Sequence, residues 1–526
     1  MKSIPLRVSR LSALASLLCV ATLPAFSQTG SPNKLDSVFV TATRSPQKLS
    51  DVLADVTVLT RADIERQAFG GVADLLRNNG CAEITRNGGP ASNTSLFLRG
   101  ADTRHTLVLI DGMRVDSQAT GGASWQALPL SQIERIEVLK GPASAIYGSD
   151  AVGGVVQIFT RKGGSKLSLD LGAAVGNLGT KKLDGGVFGN SGIFDYAVSA
   201  AAERSDGFNA TLDVPGSFSY VPDRDGYRNH SASVRLGAQV SREHRVEVMA
   251  LQSHVDGQYD GSKSKPLVDD HSLQDTKAAS ANWAAQWLPA LQTQLTLGQS
   301  SERYETKPSP YLTETKLRNI SLNGSYEISK SQQLNFVLER REDELQNSGL
   351  TTASGTDKRA QNALALGYLW SAGALSLQAH ARHDDDSQFG GVDTGTLAAG
   401  YLLTPNLRLV GSAGTAFRAP TLYQRGSIYG PNLTKAGVAP LAPEHGRNLE
   451  FGLKFNAGMS DASITAYRNR IKDLIIFGAA GTCQSASSMR ASSAASGLRM
   501  SKRWPAASAL PTSGASTASA RRRASW

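Results

Sequence analysis

Residues 133–160 read IERIEVLKGPASAIYGSDAVGGVVQIFT, and the fold turns on how this stretch is read. Ile133, Ile136, Val138 and Leu139 mix helical with strand spacing. They run into Gly141-Pro142, which continues neither element because proline lacks an amide proton and fixes φ. Ala143 to Tyr147 leaves room for one short helical turn, and Gly148, Gly153 and Gly154 supply points where backbone can approach backbone. Val155 to Phe159 closes the unit as a strand. By itself the stretch specifies a compact α+β unit with tight turns.

Two upstream phrases narrow the reading. Leu96-Phe97-Leu98-Arg99-Gly100 and Leu107-Val108-Leu109-Ile110-Asp111-Gly112, followed by residues 133–160, resemble the plug domain of TonB-dependent outer-membrane receptors. The Asn87-Gly88-Gly89 turn, the strand from Ser95 to Gly100 and His105 are similar to the corresponding positions of the cobalamin receptors within that family. The resemblance implies an all-β outer-membrane antiparallel barrel behind an N-terminal α+β plug. It also implies import without covalent chemistry, with a corrinoid as substrate and, as alternatives, an iron-siderophore chelate or a non-functional truncated product of such a gene. Such a protein works with a TonB energy-coupling protein, outer-membrane lipid and no nucleic acid.

Upstream of the plug, residues 1–27 have the anatomy of a secretory signal peptide: basic residues at the start, an apolar run from Leu11 to Leu23, and small residues around Ala25-Phe26-Ser27. Residues 28–43 follow as a polar segment ending in Asp36-Ser37-Val38-Phe39-Val40-Thr41-Ala42, a short apolar strand with no hairpin partner in sequence. By resemblance Asp36, Ser37, Val38, Phe39, Val40, Thr41 and Ala42 form the TonB box, whose physical use is strand addition to a partner sheet. The plug is expected over 44–164. Within it VTVLT precedes a helix from Arg61 to Phe69, and a second helix from Val72 to Arg77 stops at Asn78-Asn79-Gly80.

The net charge of +10 says little about partners. Lys2, Arg7 and Arg10 at one end, with Arg490, Arg499, Lys502, Arg503, Arg521, Arg522 and Arg523 at the other, account for all of it, and neither end carries an acid. The body is neutral, which removes the usual argument for nucleic-acid binding. After signal cleavage only Cys81 and Cys483 remain, too few for a disulfide framework. No later stretch has the roughly 18 consecutive apolar residues of a spanning helix.

From Lys166 the hydrophobic period becomes two. Leu167, Leu169 and Leu171, then Val234, Leu236, Ala238 and Val240, then Leu334, Phe336 and Leu338, and Leu449, Leu453 and Phe455 with Phe451 alternate with polar residues or glycine. Such runs suit strands with one lipid face and one lumen face, or equally a soluble sandwich; the signal peptide and plug phrases select the barrel. Residues 165–477 give about 15 strands at roughly 20 positions each, against about 22 in barrels that hold a plug. An open sheet of that size leaves two unpaired edges. Residues 478–526 are alanine- and serine-rich with no Asp or Glu, a low-complexity tail that predicts no strands and a reading-frame shift near Gly478.

Motifs for catalysis are weak. GAAVGNLGTK at 172–181 lacks the Gly-Lys-Ser/Thr ending of a phosphate loop, and His380 and His383, three apart on a predicted strand, face opposite ways. Asp384-Asp385-Asp386 reads as a solvated loop after that strand. Asp223-Arg224-Asp225-Gly226, Tyr259-Asp260-Gly261 and Asp269-Asp270 place carboxylates on successive long loops, the ligand type that calcium takes. The resemblance implies calcium ligands at Asp223, Asp225, Asp260 and Asp269, with Asp213 and Asp270 nearby; solvated acidic loops are the other reading of the same residues. It also implies a substrate-facing plug surface at Ser92, Asn93, Gln118, Thr120, Gly121 and Ser124.

Overall fold

The computed structural model describes residues 39–40, 44–45, 47–67, 70–265, 268–431, 439–457, 460–477, 483–486, 499–502 and 519–525. The segment expected to be a signal peptide and most of the expected box, Asp36, Ser37, Val38, Thr41 and Ala42, lie outside these residues. Phe39–Val40 (β1) does have a partner close in sequence: it pairs antiparallel with Gln47–Lys48 (β2). Hydrophobic spacing missed this because β2 is polar and short.

The stretch 133–160 forms the centre of a five-stranded sheet. Ile133–Lys140 (β8) lies between Asp55–Leu59 (β3) and Gly154–Thr160 (β9), and β9 runs parallel to Thr106–Ile110 (β6), which carries Met113–Arg114 (β7). Glu83–Arg86 (β4) and Thr94–Phe97 (β5) make a separate hairpin. Arg61–Glu65 (α1) and Val72–Asn78 (α2) cover one face, and Ser144–Tyr147 (α3) is the single turn between β8 and β9. The helix after VTVLT therefore ends at Glu65, short of Phe69. Leu75, Leu76, Leu96, Val108, Ile136 and Val156 bury one face of the sheet, while Leu107, Val155 and Tyr147 bury the other. A sheet covered on both sides reads as continuous apolar sequence, which explains the mixed spacing of β8.

Gly141 is where the plug backbone meets the barrel wall. Its φ is +99°, and an added Cβ would run into a Glu450 carboxylate oxygen. Gly141→Ala is expected to cost about 1–3 kcal/mol, read as a lowered thermal unfolding midpoint of the folded chain; an unchanged midpoint would show that this backbone is relaxed.

The barrel follows as β10 (Ser168–Val175), β11 (Lys181–Ser191), β12 (Phe194–Phe208), β13 (Asp225–Gln239), β14 (His244–Tyr259), β15 (Asp270–Leu288), β16 (Leu291–Lys307) and β17 (Tyr311–Ser329). It continues with β18 (Gln332–Asn347), β19 (Thr356–Ala372), β20 (Leu375–Asp386), β21 (Gly390–Thr404), β22 (Leu407–Arg418), β23 (Glu444–Ala457) and β24 (Ser460–Lys472). These are fifteen antiparallel strands, each paired with the next. Leu167, Leu169, Leu171, Leu236, Leu338, Leu449 and Phe451 are exposed on the outer face, as the period of two requires. Loops 209–224, 260–269 and 419–443 are long at one end, whereas 289–290, 330–331 and 373–374 are two-residue turns at the other. Long loops mark the extracellular end of such barrels and short turns the periplasmic end.

The tail departs from expectation. Past β25 (Leu474–Phe477) and β26 (Cys483–Ala486), which pair with each other, the segments β27 (Arg499–Lys502) and β28 (Ser519–Ser525) join the barrel and its strand order is closed. β28 pairs with β10 over Ser168–Ala174, and β27 with β24 over Ser460–Ser463. The tail, read as strandless, contributes these short segments, which cover the β10 edge over Ser168–Ala174 and only four residues of the β24 edge, so the barrel stays short of strands as expected. An exposed edge offers amide and carbonyl groups to any extended backbone, so pairing needs no side-chain alternation.

Candidate functional site

Strand alternation decides which side chains face the lumen, and here the lumen is charged. Arg341 and Asp343 on β18, Arg359 on β19, and Arg382, Asp384 and Asp386 on β20 are buried and point inward, with the half-buried Glu339 of β18 beside them. Arg382 holds Asp384 at 2.7 Å and Glu339 at 3.3 Å, and Asp343 bridges Arg341 at 2.6 Å and Arg359 at 2.7 Å. The solvated-loop reading of Asp384–Asp386 is thus corrected. A run of three acids sits inside a strand because the lumen face accepts charge, and a residue two positions away on the same face neutralises it. His380 is buried and His383 exposed, on opposite faces as expected.

The plug is fixed to this wall by ion pairs. Asp150 receives Arg114 at 2.5 Å and lies 3.7 Å from Arg341. Burial alone raises the Asp150 carboxyl, but Arg114 and Arg341 hold it below its ordinary value. Asp111 takes Arg235 of β13 at 2.7 Å, and Arg99 pairs with both Asp55 and Glu450. His105 Nε2 meets Glu444 at 2.5 Å; the same carboxylate contacts Arg418 at 3.0 Å and accepts the Ile475 amide at 2.8 Å. Just behind the box, Arg44 donates to Glu339 at 2.9 Å and to Asn323 at 3.3 Å, with its guanidinium over the Tyr147 ring at 5.1 Å. Sequence periodicity gave no signal for these pairs, since each joins residues distant in the chain.

The six plug residues assigned to substrate divide by environment. Thr120 and Asn93 are exposed, and the Asn93 carbonyl oxygen accepts from Gln274 at 3.3 Å. Ser92, Gly121 and Ser124 are half-buried, with the Ser124 amide donating to Glu302 at 3.1 Å. Gln118 is enclosed between plug and wall, its amide donating to Thr315 Oγ1 at 2.9 Å and its side-chain oxygen accepting from Arg359 at 3.1 Å. Above them stands an aromatic group absent from the sequence reading: Tyr304 with Tyr311 at 6.2 Å, and Tyr429 with Tyr423 at 6.4 Å and Phe477 at 5.8 Å. Leu422–Gly426 (α4), capped by Thr421, positions Tyr423.

Three of the four proposed metal ligands converge. Oxygens of Asp223, Asp225 and Asp260 lie within 4.8 Å of one another. Asp225 accepts the Ala210 amide at 3.1 Å, whereas the buried Asp260 Oδ2 has no hydrogen-bond partner among the described residues. Partial burial and the Asp260 charge push the Asp223 carboxyl up. Asp269 stands apart, accepting from Gln258 at 3.0 Å and contacting His271 at 3.1 Å. Asp213 is taken by Lys263, and Asp270 is buried as the first residue of β15.

A sequence profile described as TonB-dependent Receptor Plug Domain matches residues 48–155, and one described as TonB dependent receptor-like, beta-barrel matches residues 164–509. The chain belongs to the TonB-dependent receptor family, whose members are receptors and transporters built on outer-membrane β-barrels. It is 28% identical over 466 residues to the vitamin B12 transporter BtuB of Photobacterium profundum, covering 88% of this chain and 74% of that protein. With BtuB of Vibrio vulnificus it is 30% identical over 455 residues, covering 84% and 71%. Among solved structures, the siderophore receptor PirA from Acinetobacter baumannii superposes with a TM-score of 0.66 at 21% identity, covering 85% of this chain and 74% of that one. The FrpB iron transporter from Neisseria meningitidis gives 0.69 at 14%, covering 83% and 76%. Similarity at this level speaks for the fold alone.

Proposed function

We propose that the protein imports a corrinoid across the outer membrane, with substrate held between the plug surface around Thr120 and the extracellular loops. The carrying observation is the identity with two vitamin B12 transporters over more than four fifths of the chain, where the siderophore receptors share the fold at lower identity. Calcium at Asp223, Asp225 and Asp260 fits this reading. Three carboxylates that repel one another and a buried oxygen left without a donor suit a hard cation, which would tie loop 209–224 to loop 260–269. Coupling is mechanical: a TonB protein takes residues 36–42 by strand addition, and the pull reaches the plug through Arg44, stacked on Tyr147 of α3, while loosening its pairs on the wall residues Glu339 and Asn323.

Equilibrium titration of the folded chain with cobalamin and, separately, with a ferric catecholate chelate tests the substrate. Cobalamin is expected to bind at least about a hundredfold tighter, a difference of roughly 2.7 kcal/mol. Tighter binding of the iron chelate would replace the corrinoid reading with the siderophore one.

A further inference from the structure

The plug loop between β7 and β8 carries Thr120, Gly121 and Ser124, and three successive wall strands each hold it by one side chain. Gln274 of β15 accepts from Gln126 at 2.5 Å, Glu302 of β16 accepts from Ser124, and Thr315 of β17 accepts the Gln118 amide at 2.9 Å. Gln274 and Thr315 cannot ionise. Glu302 can, and only 8% of it is exposed.

The surroundings of Glu302 offer no counter-charge. Its cross-strand partners are the buried Thr276 and Thr315, and its neighbours on the same face of β16 are Ser300 and Tyr304. Ser300 is committed to the Arg114 carbonyl at 2.7 Å. From the plug, Glu302 receives the Ser124 amide at 3.1 Å and the Ser124 hydroxyl at 3.4 Å, and it faces the like charge of Asp116. Arg114 and Arg341 pair with Asp150 and Asp343, and among the described residues no basic side chain stands within ion-pair distance of Glu302. The outward residues at this height are Ser301 and Arg303, beyond the apolar Leu295 and Leu297, so Glu302 stands outside the lipid-crossing part of β16. Burial pushes its carboxyl up to about 7; the Ser124 amide opposes this and the Asp116 charge adds to it. An unanswered carboxylate at such a place costs more than its stronger hydrogen bonds return.

We propose that Glu302 is the positioning residue of this plug loop, holding Ser124 as an uncharged acid and releasing it as a carboxylate. Its effect on the loop is independent of what is imported; its effect on binding rests on the reading of Thr120, Gly121 and Ser124 as contacts of a corrinoid. Because the docked loop holds the carboxyl above its ordinary value, docking takes up a proton. The contribution of Glu302 to docking is complete in acid and lost as pH rises through about 7.

Amide exchange of the folded full chain over residues 116–128, scaled to an unstructured peptide at the same pH, tests this at about pH 5.5 and about pH 8.5. Wild-type protection is expected to fall at least about tenfold between them. Glu302→Gln, which keeps an acceptor for the Ser124 amide, is expected to stay protected at both, and Glu302→Ala to lose protection at both. Glu305→Gln, on the outward face of β16 beside Arg303, is expected to retain the wild-type fall. In saturating calcium, cobalamin is expected to bind the wild type about tenfold more weakly at the higher pH, and this difference is expected to vanish in Glu302→Gln. A wild-type fall that persists in Glu302→Gln overturns the proposal, as does a Glu302→Ala chain as well protected as Glu302→Gln at both pH values. If the wild type leaves cobalamin unbound while the exchange pattern holds, the corrinoid reading fails and the role of Glu302 stands.

Discussion

Replacing Glu444 by alanine is expected to destabilise the folded chain by about 3–5 kcal/mol, the usual cost of leaving a buried charge without its partner. Glu444 is fully buried and serves three groups: His105 of the plug, Arg418 of β22 and the Ile475 amide. With the carboxylate gone, the buried Arg418 guanidinium keeps among the described residues only the Gln424 side-chain oxygen as an acceptor, at 2.9 Å. The plug also loses one of its links to β23, while Arg99 to Glu450 and Lys454 to the Val52 carbonyl remain. The effect is read as a lower urea midpoint, with faster amide exchange over Thr106–Ile110, the strand that follows His105. Glu444→Gln keeps an acceptor for Ile475 without the charge and should fall between the two. A loss under about 1 kcal/mol for Glu444→Ala would mean that water already solvates Arg418, and the plug's attachment would have to be sought elsewhere.

Calcium supplies the second large effect. Three carboxylates within 4.8 Å repel one another in the absence of a cation, so Asp260→Asn is expected to raise the thermal midpoint of the metal-free protein slightly. The same change should weaken calcium binding by about tenfold or more, because ligand charge sets affinity at such sites. Opposite signs for the two readouts distinguish a metal site from a solvated acidic cluster, which would show the first effect only. The pH dependence follows from Asp223. Its carboxyl is held above the ordinary value, so protons compete with calcium as pH falls, and they begin to do so at a higher pH than for an isolated aspartate. Isothermal titration with calcium at several pH values checks this; pH-independent affinity would remove Asp223 from the ligand set.

Reading outward from Ile133–Thr160 reached the architecture because its signals are local. Gly141 at φ +99° and Gly148 at φ +82° are set by backbone conformations that other residues resist, so the glycines mark the turns around α3. The outer face of the barrel was legible for a similar reason: lipid demands apolar side chains at every second position wherever a strand crosses. The lumen face obeys no such demand. Asp384-Asp385-Asp386 looked like a loop and lies in β20, since two of its three carboxylates point into a charged interior and are answered by Arg382 and Arg359. Nothing in the spacing of residues along the chain reveals that arrangement.

The site divides the same way. Asp223, Asp225 and Asp260, grouped by the resemblance, do lie with carboxylate oxygens within 4.8 Å of one another. Asp269, equally plausible by position, turned instead to Gln258 and His271, and Gln118 went under the wall against Thr315 and Arg359. Turn residues and the period of two by themselves determined a compact α+β unit followed by two-faced strands, because solvent and lipid act on each residue according to its own face; the resemblance of the plug phrases made these a plug and a membrane barrel. Which charges meet, which carboxylates can share a cation, and where the tail's backbone finds an open edge were decided only in the tertiary structure. Those contacts join residues tens to hundreds of positions apart, and their energies depend on burial that no single segment sets.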